Sequence, residues 1–443
     1  MKKNKRKKRF FLCLVVLGIL TGSMAWGIYE IKASIPDELY IVQNDKNALD
    51  SIIKSPFITT SDTITASSGG KYVIECRLFD LFMIKKVTIS QAQPVRVGVS
   101  GDTIGIYMET KGILVIDTQE ILNSQGKNEE PAKNLIQPGD YIEKIDGIDI
   151  DKKSELISKM KDNNGEDVVL EINRDGSNHS VSVEPVCCQD GSYKLGIWVR
   201  DNTQGIGTLT YIQEDGSFGA LGHGISDLDM GDLLKLDQGD LYRAEVVSIK
   251  KGSTGSPGEL AGIIHYNEKE HLGKIQVNGL CGIYGIIDLK TVNGEIWRSG
   301  VMSNGTQESG IADNDTQRSE TINDRILDEI GNWGLELTWY EVGFKQDMQE
   351  GPATILCNIG NGIQEYKINI EDICWNATDT NKCFVVEVTD PELISETGGI
   401  VQGMSGSPII QDGKLVGAVT HVLVNDPTRG YGIFIENMLD AVE

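Results

Sequence analysis

A strongly basic tip followed by an uncharged apolar run is the feature that most constrains this chain. Seven Lys and Arg residues lie within residues 1–9, and residues 10–28 then contain no charged side chain. Such a run is long enough to cross a bilayer as a helix, with the basic tip on the cytoplasmic side. Alternatively it is a signal peptide that is cleaved near residue 25, after Ser23-Met24-Ala25. In either case the sequence predicts that the chain beyond residue 28 folds outside the cytoplasm.

The composition predicts a mainly β protein with more than one domain. The chain has 443 residues, of which 40% are hydrophobic and 50 are glycine. A chain of this length is too long to fold around one hydrophobic core. Its net charge is −24 although the N-terminal tip is basic. We therefore expect no nucleic-acid partner, because a phosphate backbone is held by positive charge.

The cysteine pattern indicates neither a metal site nor a cofactor. The chain has eight cysteines, but no C-x-x-C pair and no Cys/His cluster of the kind that zinc requires. Disulfides are an option outside the cytoplasm, with Cys357, Cys374 and Cys383 as candidates. Buried free thiols are the simpler expectation.

Composition and turn signals divide the chain into four parts. Residues 1–30 form the membrane anchor or signal segment, and residues 31–93 a small β-rich spacer. Residues 94–186 and 187–443 form two larger domains, and the second is rich in short strands with Gly-rich turns. Within it we expect a helix at residues 319–330, a loop at 304–317 and a closing helix at 435–442.

The first larger domain resembles a PDZ domain. It has P-G-D at residues 138–140, a strand, the tight turn Asp146-Gly147 and a helix at residues 153–161, in that order. PDZ domains bind an extended peptide as an additional strand beside a groove. By this resemblance, the carboxylate-binding loop is formed by Ser100, Gly101, Thr103, Ile104, Gly105 and Ile106. The alternative is a packing module whose groove is not used.

The run G-M-S-G-S-P at residues 403–408 is typical of an exposed nucleophile on a tight turn. Glycine at 403 lets the backbone bend, so that the N–H groups of Gly403 and Ser405 can point at one spot and form an oxyanion hole. The more frequent meaning of such a fragment is a simple turn between strands. Here a strand, a hairpin turn and a second strand follow it, which favours Ser405 as the nucleophile.

A serine nucleophile needs a base, and the chain has only five histidines. His223 lies between two glycines and is the preferred base; His421, which ends the strand after the nucleophile, is either a wall residue or a base. For the orienting carboxylate several candidates stay open: Asp227, Asp229, Asp232 and Asp390. A second G-S-P run at residues 255–257 lacks the glycine and the apolar pair around a nucleophile, and is interpreted as a turn that lines the cleft.

These motifs resemble the SpoIVB peptidase family of spore-forming bacteria. The resemblance rests on F-G-A-L-G-H at residues 218–223, K-G-S-T-G-S-P-G at 251–258 and G-I-V-Q-G-M-S-G-S-P at 399–408. It implies a chymotrypsin-like double β-barrel with a His, Asp, Ser triad, which falls on His223, Asp390 and Ser405. The order of membrane segment, PDZ domain and peptidase domain agrees with that family.

The resemblance also implies a role in sporulation. Members are exported from the forespore into the space between its two membranes. There they cleave themselves and a membrane protein that regulates an intramembrane protease, and so activate a late mother-cell sigma factor. The PDZ domain takes part in recognition of self and target. Two alternatives are a PDZ-linked quality-control protease and a non-catalytic PDZ adaptor with a relic peptidase fold.

Overall fold

The structure is a computed structural model that describes residues 2–42, 58–60, 65–66, 71–227, 231–287, 337–377 and 379–441. The predictions for residues 304–317 and 319–330 lie outside these ranges. Strands dominate the described part, which confirms the mainly β prediction. Its α-helices are α1 (Lys2–Ala33), α2 (Lys153–Asp162), α3 (Pro391–Thr397) and α4 (Ile435–Asp440). Helix α4 lies where the closing helix was expected.

The N-terminal region consists of a long helix and a small sheet. Within α1, Leu14–Ala33 is long and apolar enough to cross a membrane, which fits the predicted anchor or signal segment. The sheet that follows has the order β1-β5-β4-β2, and β3 pairs with β4. Its strands are β1 (Glu38–Val42), β2 (Ile58–Thr60), β3 (Thr65–Ala66), β4 (Tyr72–Leu78) and β5 (Phe82–Ala92).

This sheet is attached to the C-terminal part of the chain. The Asn376 side chain accepts a hydrogen bond from Asp37 N at 2.9 Å and donates one to the Ile35 carbonyl at 2.9 Å. The ring of Tyr40 stacks on Phe344 with 5.2 Å between centroids. The N-terminal sheet is therefore packed against the domain that carries the catalytic motifs.

Two long strands connect the larger domains. The strands from residue 96 to residue 212 are β6 (Arg96–Val99), β7 (Thr103–Thr118), β8 (Ile121–Leu122), β9 (Asn128–Glu129), β10 (Tyr141–Ile145), β11 (Ile148–Asp149), β12 (Val168–Arg174), β13 (Ser177–Val183), β14 (Val186–Cys187), β15 (Tyr193–Lys194) and β16 (Ile197–Ile212). Strands β7 and β16 each have 16 residues and pair along most of their length. The second half of β7 pairs with β10, while its first half pairs with a strand of the C-terminal domain.

The remaining strands belong to the C-terminal domain. They are β17 (Ser217–Ala220), β18 (Leu236–Lys250), β19 (Gly258–Ile264), β20 (His271–Gly279), β21 (Gly282–Ile287), β22 (Thr338–Val342), β23 (Gly351–Asn358), β24 (Ile363–Glu371), β25 (Phe384–Val388), β26 (Val401–Gln402), β27 (Pro408–Gln411), β28 (Lys414–Leu423) and β29 (Asp426–Phe434). With β6, β7, β10–β13 and β16 they form one hydrogen-bonded network that closes on itself.

Two separate hydrophobic cores lie in the C-terminal domain. The first contains Leu209, Phe218 and Leu221, and the second contains Phe384, Met404 and Ile409. Two cores are what a double barrel requires, although the double barrel itself stays a prediction. A further core around Ile142 and Leu170 belongs to residues 112–200, which we call the inserted module.

The predicted start of the PDZ domain at residue 94 and the predicted carboxylate-binding loop do not agree with the strand pairing. Gly101 N donates to the Leu209 carbonyl at 2.9 Å, and Ile104 is fully buried in the first core. The six loop residues, Ser100, Gly101, Thr103, Ile104, Gly105 and Ile106, therefore belong to the peptidase sheet. The reason is that β6 and the first half of β7 pair with β16, β18 and β22, far along the chain.

The cysteines whose side chains the structure describes, from Cys76 to Cys383, are free thiols. Five are buried, namely Cys76, Cys188, Cys281, Cys357 and Cys383. Burial disfavours the thiolate and raises the pKa of Cys357 and of Cys383 to about 12. The structure therefore favours the simpler prediction of buried thiols over the disulfide option.

Candidate active site

The turn that carries Ser405 lies between β26 and β27. Met404 N donates to the Val401 carbonyl, and Ser407 N donates to the Met404 carbonyl, so that two successive bends expose Ser405 between them. Gly403 and Gly406 have φ of +100° and +93°, values that other residues adopt only at a cost. The predicted nucleophile turn is thus built as its glycines suggested.

Gly406 brings this turn against two other segments of the chain. A Cβ added to it would lie 2.3 Å from the Thr208 carbonyl oxygen and 2.5 Å from Leu221 N. Since real Cβ atoms do not approach other atoms so closely, only glycine fits at this position. Leu221 belongs to the first core and Met404 to the second, and the nucleophile therefore lies where the two cores meet.

Thr208 on β16 fastens the turn to the segment of the base. Its N–H donates to the Ser405 carbonyl at 3.0 Å, and its hydroxyl donates to the Gly403 carbonyl at 2.9 Å. Its own carbonyl accepts from Leu221 N, two residues before His223. Thr210, on the same face of the strand, donates to the Gly406 carbonyl at 2.8 Å.

Sequence reasoning missed both threonines. The available signal was the alternation Thr208-Leu209-Thr210 in a strand, where Leu209 enters the first core and both threonines are buried and polar. A buried hydroxyl needs a partner, but the sequence does not show that these partners are carbonyls nearly two hundred residues away.

His223 follows β17 and is half-buried. The preceding residues, Leu221 and Gly222, have φ of +71° and +69°, which turns the chain sharply. Nδ1 of His223 lies 2.9 Å from the Gly224 carbonyl oxygen. Because a carbonyl can only accept, Nδ1 carries the proton and Nε2 keeps a free lone pair, as a general base requires. Burial lowers the pKa of His223, which favours this neutral form.

A second imidazole lies against the first. The ring centroids of His223 and His421 are 4.7 Å apart, and the planes are inclined by 35°. Thr420, next to it in the chain, accepts the hydrogen bond of Ser405 Oγ on its carbonyl at 2.8 Å. The structure thus brings together Ser405, His223 and His421. Among the residues that the structure describes, no hydrogen bond joins Ser405 directly to either ring.

His421 is neutral at physiological pH. Burial, and next the charge that His223 would carry, lower its pKa to about 4. Its Nδ1 is buried and has no partner in the described ranges, which is uncommon for a buried polar atom. This arrangement agrees with a wall residue better than with a base, because a group that protonates only near pH 4 takes up protons poorly at neutral pH.

Asp390 has another task in this structure. It is the N-cap of α3: one carboxylate oxygen accepts from Glu392 N at 3.0 Å and the other from Lys367 N at 3.2 Å. Within the described ranges, none of its hydrogen bonds reaches His223. Asp is among the best N-cap residues, and Pro391 at the first helical position fits the same helix start. The structure therefore places the turn of Ser405 against the segment of His223, whereas Asp390 caps α3.

The other candidate carboxylates are those of Asp227, Asp229 and Asp232. Buried Asp227 pairs with Arg200, and Asp229 lies outside the described residues. Asp232 accepts from Asp227 N at 2.9 Å through its backbone carbonyl. Among the described residues, the carboxylate whose charge acts on the paired imidazoles is Asp379, which raises the pKa of His421 slightly against the stronger effect of burial.

The oxyanion-hole prediction has one supporting observation. The N–H of Ser405 donates to no acceptor within the residues that the structure describes, and an oxyanion donor must be free in this way. A Cβ added to Gly403 would touch Leu260 at 3.1 Å, so Gly403 forms part of the wall beside the nucleophile.

The second G-S-P run is a turn, as predicted. Ser253 and Ser256 form a bridge with each other, and Gly255 N donates to the Val424 carbonyl at 2.8 Å. The strand that follows pairs with β26, with Gly258 opposite Val401. This turn therefore supports the strand that leads into the nucleophile turn.

The inserted module has an apolar groove of about 530 Å³ between α2 and the first residues of β16. Its lining includes Leu156, Met160, Leu195, Ile197 and Trp198, and Trp198 is 59% exposed. An open strand edge beside a helix is the arrangement to which an extended peptide can add. The groove lies about ninety residues downstream of the loop that the sequence suggested for peptide binding.

Parts of this chain are similar to known proteins. The chain matches the family described as SpoIVB peptidase S55 over residues 191–439. Among solved structures it is similar to the PDZ domains of the SdrC-like proteins from Listeria monocytogenes and Listeria innocua. The identities are 20% and 22%, and the TM-scores are 0.17 and 0.18. Each match covers 20% of this chain, and 87% and 93% of the respective PDZ domain. No curated protein matches the chain.

Proposed function

Because the chain belongs to the SpoIVB peptidase S55 family, whose members are serine peptidases of sporulation, we propose that it cleaves itself and a membrane-bound regulatory protein. This cleavage releases an intramembrane protease and so activates a late mother-cell sigma factor. The observation that carries the proposal is the meeting of the Ser405 turn with His223 between the two cores. The apolar helix α1 supports a site of action outside the forespore membrane.

In the proposed reaction, Ser405 is the nucleophile and His223 the base. The hydroxyl leaves the Thr420 carbonyl, which it contacts at 2.8 Å, and turns toward Nε2 of His223. Nε2 takes the proton while Oγ attacks the scissile carbonyl carbon. The oxyanion that forms is held by the N–H groups of Gly403 and Ser405. His223 then gives its proton to the leaving amine, and water hydrolyses the acyl-enzyme by the same steps.

The Gly224 carbonyl holds the base in its productive tautomer. It accepts from Nδ1 at 2.9 Å, which is the position that a triad carboxylate would take. A carbonyl dipole stabilises the imidazolium less than a full negative charge does. In this arrangement we assign the orientation of His223 to the Gly224 carbonyl.

We also propose that a segment of the target binds the groove of the inserted module. The exposed edge of β16 from Ile197 to Val199 would pair with an extended peptide, and α2 would receive its apolar side chains. Met160→Ser and Trp198→Ser should weaken cleavage of the membrane-bound target while labelling of Ser405 by a fluorophosphonate stays unchanged. Equal loss of both readouts would contradict a recognition role for the groove.

The catalytic assignment is tested by fluorophosphonate labelling and by self-cleavage of the purified full chain in detergent. Ser405→Ala should abolish labelling, and His223→Ala should reduce self-cleavage by about 10⁴-fold or more. Ser253→Ala and His265→Ala are matched controls. The first removes a serine hydroxyl from the second G-S-P turn, and the second removes the imidazole of the residue that directly follows β19. Normal self-cleavage by Ser405→Ala would contradict the assignment.

A further inference from the structure

The hairpin between β4 and β5 ends in an exposed apolar tip. We use this name for Phe79, Leu81, Phe82 and Met83, whose side chains are 58%, 76%, 66% and 56% exposed. The turn itself is tight, with φ of +52° at Phe79 and +56° at Asp80. Turns on a protein surface are normally polar, and a contiguous exposed apolar patch marks an interaction site.

The hairpin extends toward the side of the sheet from which α1 enters. Strands β1 and β5 are parallel, and Glu38 at the start of β1 lies opposite Thr88. The residues of β5 before Thr88 therefore reach back past the start of β1. Lys85 is level with the end of the helix, because its Nζ contacts the Lys32 carbonyl at 3.4 Å and the Asp37 carboxylate at 2.9 Å. At about 3.3 Å per residue, Phe82 lies on the order of 10 Å beyond Lys85.

The end of α1 marks the level of a membrane surface. The apolar stretch Leu14–Ala33 has 20 residues and is about 30 Å long, which equals the hydrocarbon thickness of a bilayer. Trp26 and Tyr29 near its end are 66% and 68% exposed, as expected for an interfacial aromatic belt. Glu30 and Lys32 lie between this belt and the helix end. A tip that reaches about 10 Å back past the helix end thus attains the level of Trp26 and Tyr29, which is the membrane interface.

The charges of the hairpin are paired within the N-terminal sheet. Glu75 contacts Arg77 at 3.0 Å and Lys86 at 3.7 Å, and Asp37 contacts Lys85 at 2.9 Å. The turn of the hairpin carries one charged side chain, Asp80. We therefore expect the contact with lipid to depend on the apolar side chains of the tip rather than on charge.

We propose that the apolar tip inserts into the outer leaflet of the membrane that α1 spans, as a second contact of this chain with lipid. The partner that the tip contacts is the bilayer itself rather than a protein. The contact does not depend on α1 alone, because the tip belongs to the folded sheet. After cleavage near residue 25 the tip would still hold the enzyme at the membrane surface.

Photo-crosslinking in vesicles tests the proposal. The full chain is reconstituted into vesicles of phosphatidylcholine and phosphatidylglycerol that carry an alkyne-tagged phospholipid and no other protein. Benzoylphenylalanine is introduced at Phe82, at Leu17 in α1 as the positive control, and at Ile263, which is 52% exposed in the C-terminal domain, as the negative control. We expect a lipid adduct at Phe82 that is about tenfold stronger than at Ile263.

A second variant separates insertion from mere proximity. Phe79→Ser, Leu81→Ser and Phe82→Ser together remove exposed side chains and should leave folding intact. In this variant the lipid adduct of benzoylphenylalanine at Met83, which is 56% exposed, should be at least about tenfold weaker than in a chain with the unchanged tip. A Phe82 adduct no stronger than that at Ile263 would overturn the proposal. Crosslinking of Phe82 to a protein in native membranes, without a lipid adduct in vesicles, would instead identify a protein partner.

Discussion

Gly406 gives the most direct test of how the active site is assembled. Gly406→Ala adds a methyl group at φ +93°, where it would lie 2.3 Å from the Thr208 carbonyl oxygen and 2.5 Å from Leu221 N. Two costs follow: about 1–2 kcal/mol for the left-handed backbone of a non-glycine residue, and about 1–3 kcal/mol for forced overpacking. The expected loss of stability is therefore about 3 kcal/mol.

Gly413→Ala is the matched control for this substitution. Gly413 has φ of +77° in the hairpin turn between β27 and β28, but no atom lies within 4 Å of an added Cβ. It should therefore carry only the backbone cost, about 1–2 kcal/mol. The difference between the two variants isolates the close approach of the nucleophile turn to β16 and to the segment of His223.

The two variants should differ more in activity than in stability. To relieve the contact, the turn with Ser405 has to move by a few tenths of an ångström or more, and a displacement of 1 Å can cost about 10²-fold in rate. We expect Gly406→Ala to lose about 10²-fold in fluorophosphonate labelling rate, and Gly413→Ala to keep the normal rate. Thermal unfolding gives the stability difference. Equal midpoints and equal rates for both variants would refute the described assembly.

Three further substitutions test the remaining contacts. Asp390→Asn keeps an N-cap and should change self-cleavage only a few-fold; a loss of about 10⁴-fold would show that the carboxylate reaches His223 in the reacting enzyme. His421→Gln should reduce the pH dependence of stability, because the folded chain binds the proton of His421 only near pH 4 while the unfolded chain binds it near 6.5. Stability should therefore fall less from pH 6.5 to 4 in the variant than in the unchanged chain, and the lowered pKa of His223 accounts for the fall that stays. Thr208→Val removes the hydroxyl that contacts the Gly403 carbonyl at 2.9 Å and should lower stability by about 1 kcal/mol. Thermal unfolding measures this loss, and Thr103→Val, at a second buried threonine, is measured in the same way for comparison.

Local signals predicted the nucleophile side of the site, and long-range pairing decided the rest. The glycines around Ser405 indicate positions where the backbone has a positive φ, and the structure has the turn that they predict. Asp390 was placed correctly at the end of a strand, but the helix that begins at Pro391 takes its carboxylate as a cap. A single sequence does not show which of two local partners such a side chain will bind.

The error in the peptide-binding loop has a similar origin. Ile104 and Gly105 lie at the start of β7, directly after the turn at Gly101. Their strand β7 continues for 16 residues, however, and its first half pairs with β16 and β18. Sequence patterns give the period of a strand but not its partner or the point at which it passes from one domain to the next. The groove was therefore found only from the fold.

Strand β16 also sets a distance for substrates. Its edge at Val199 borders the groove, and nine residues later Thr208 holds the turn of Ser405. An extended strand covers at most about 30 Å over nine residues. A protein that occupies both places at once thus needs a linker of up to about nine extended residues between its docking segment and its scissile bond. Targets with a shorter spacer would bind the groove without reaching the nucleophile. The length of the spacer alone would then decide which targets are cleaved.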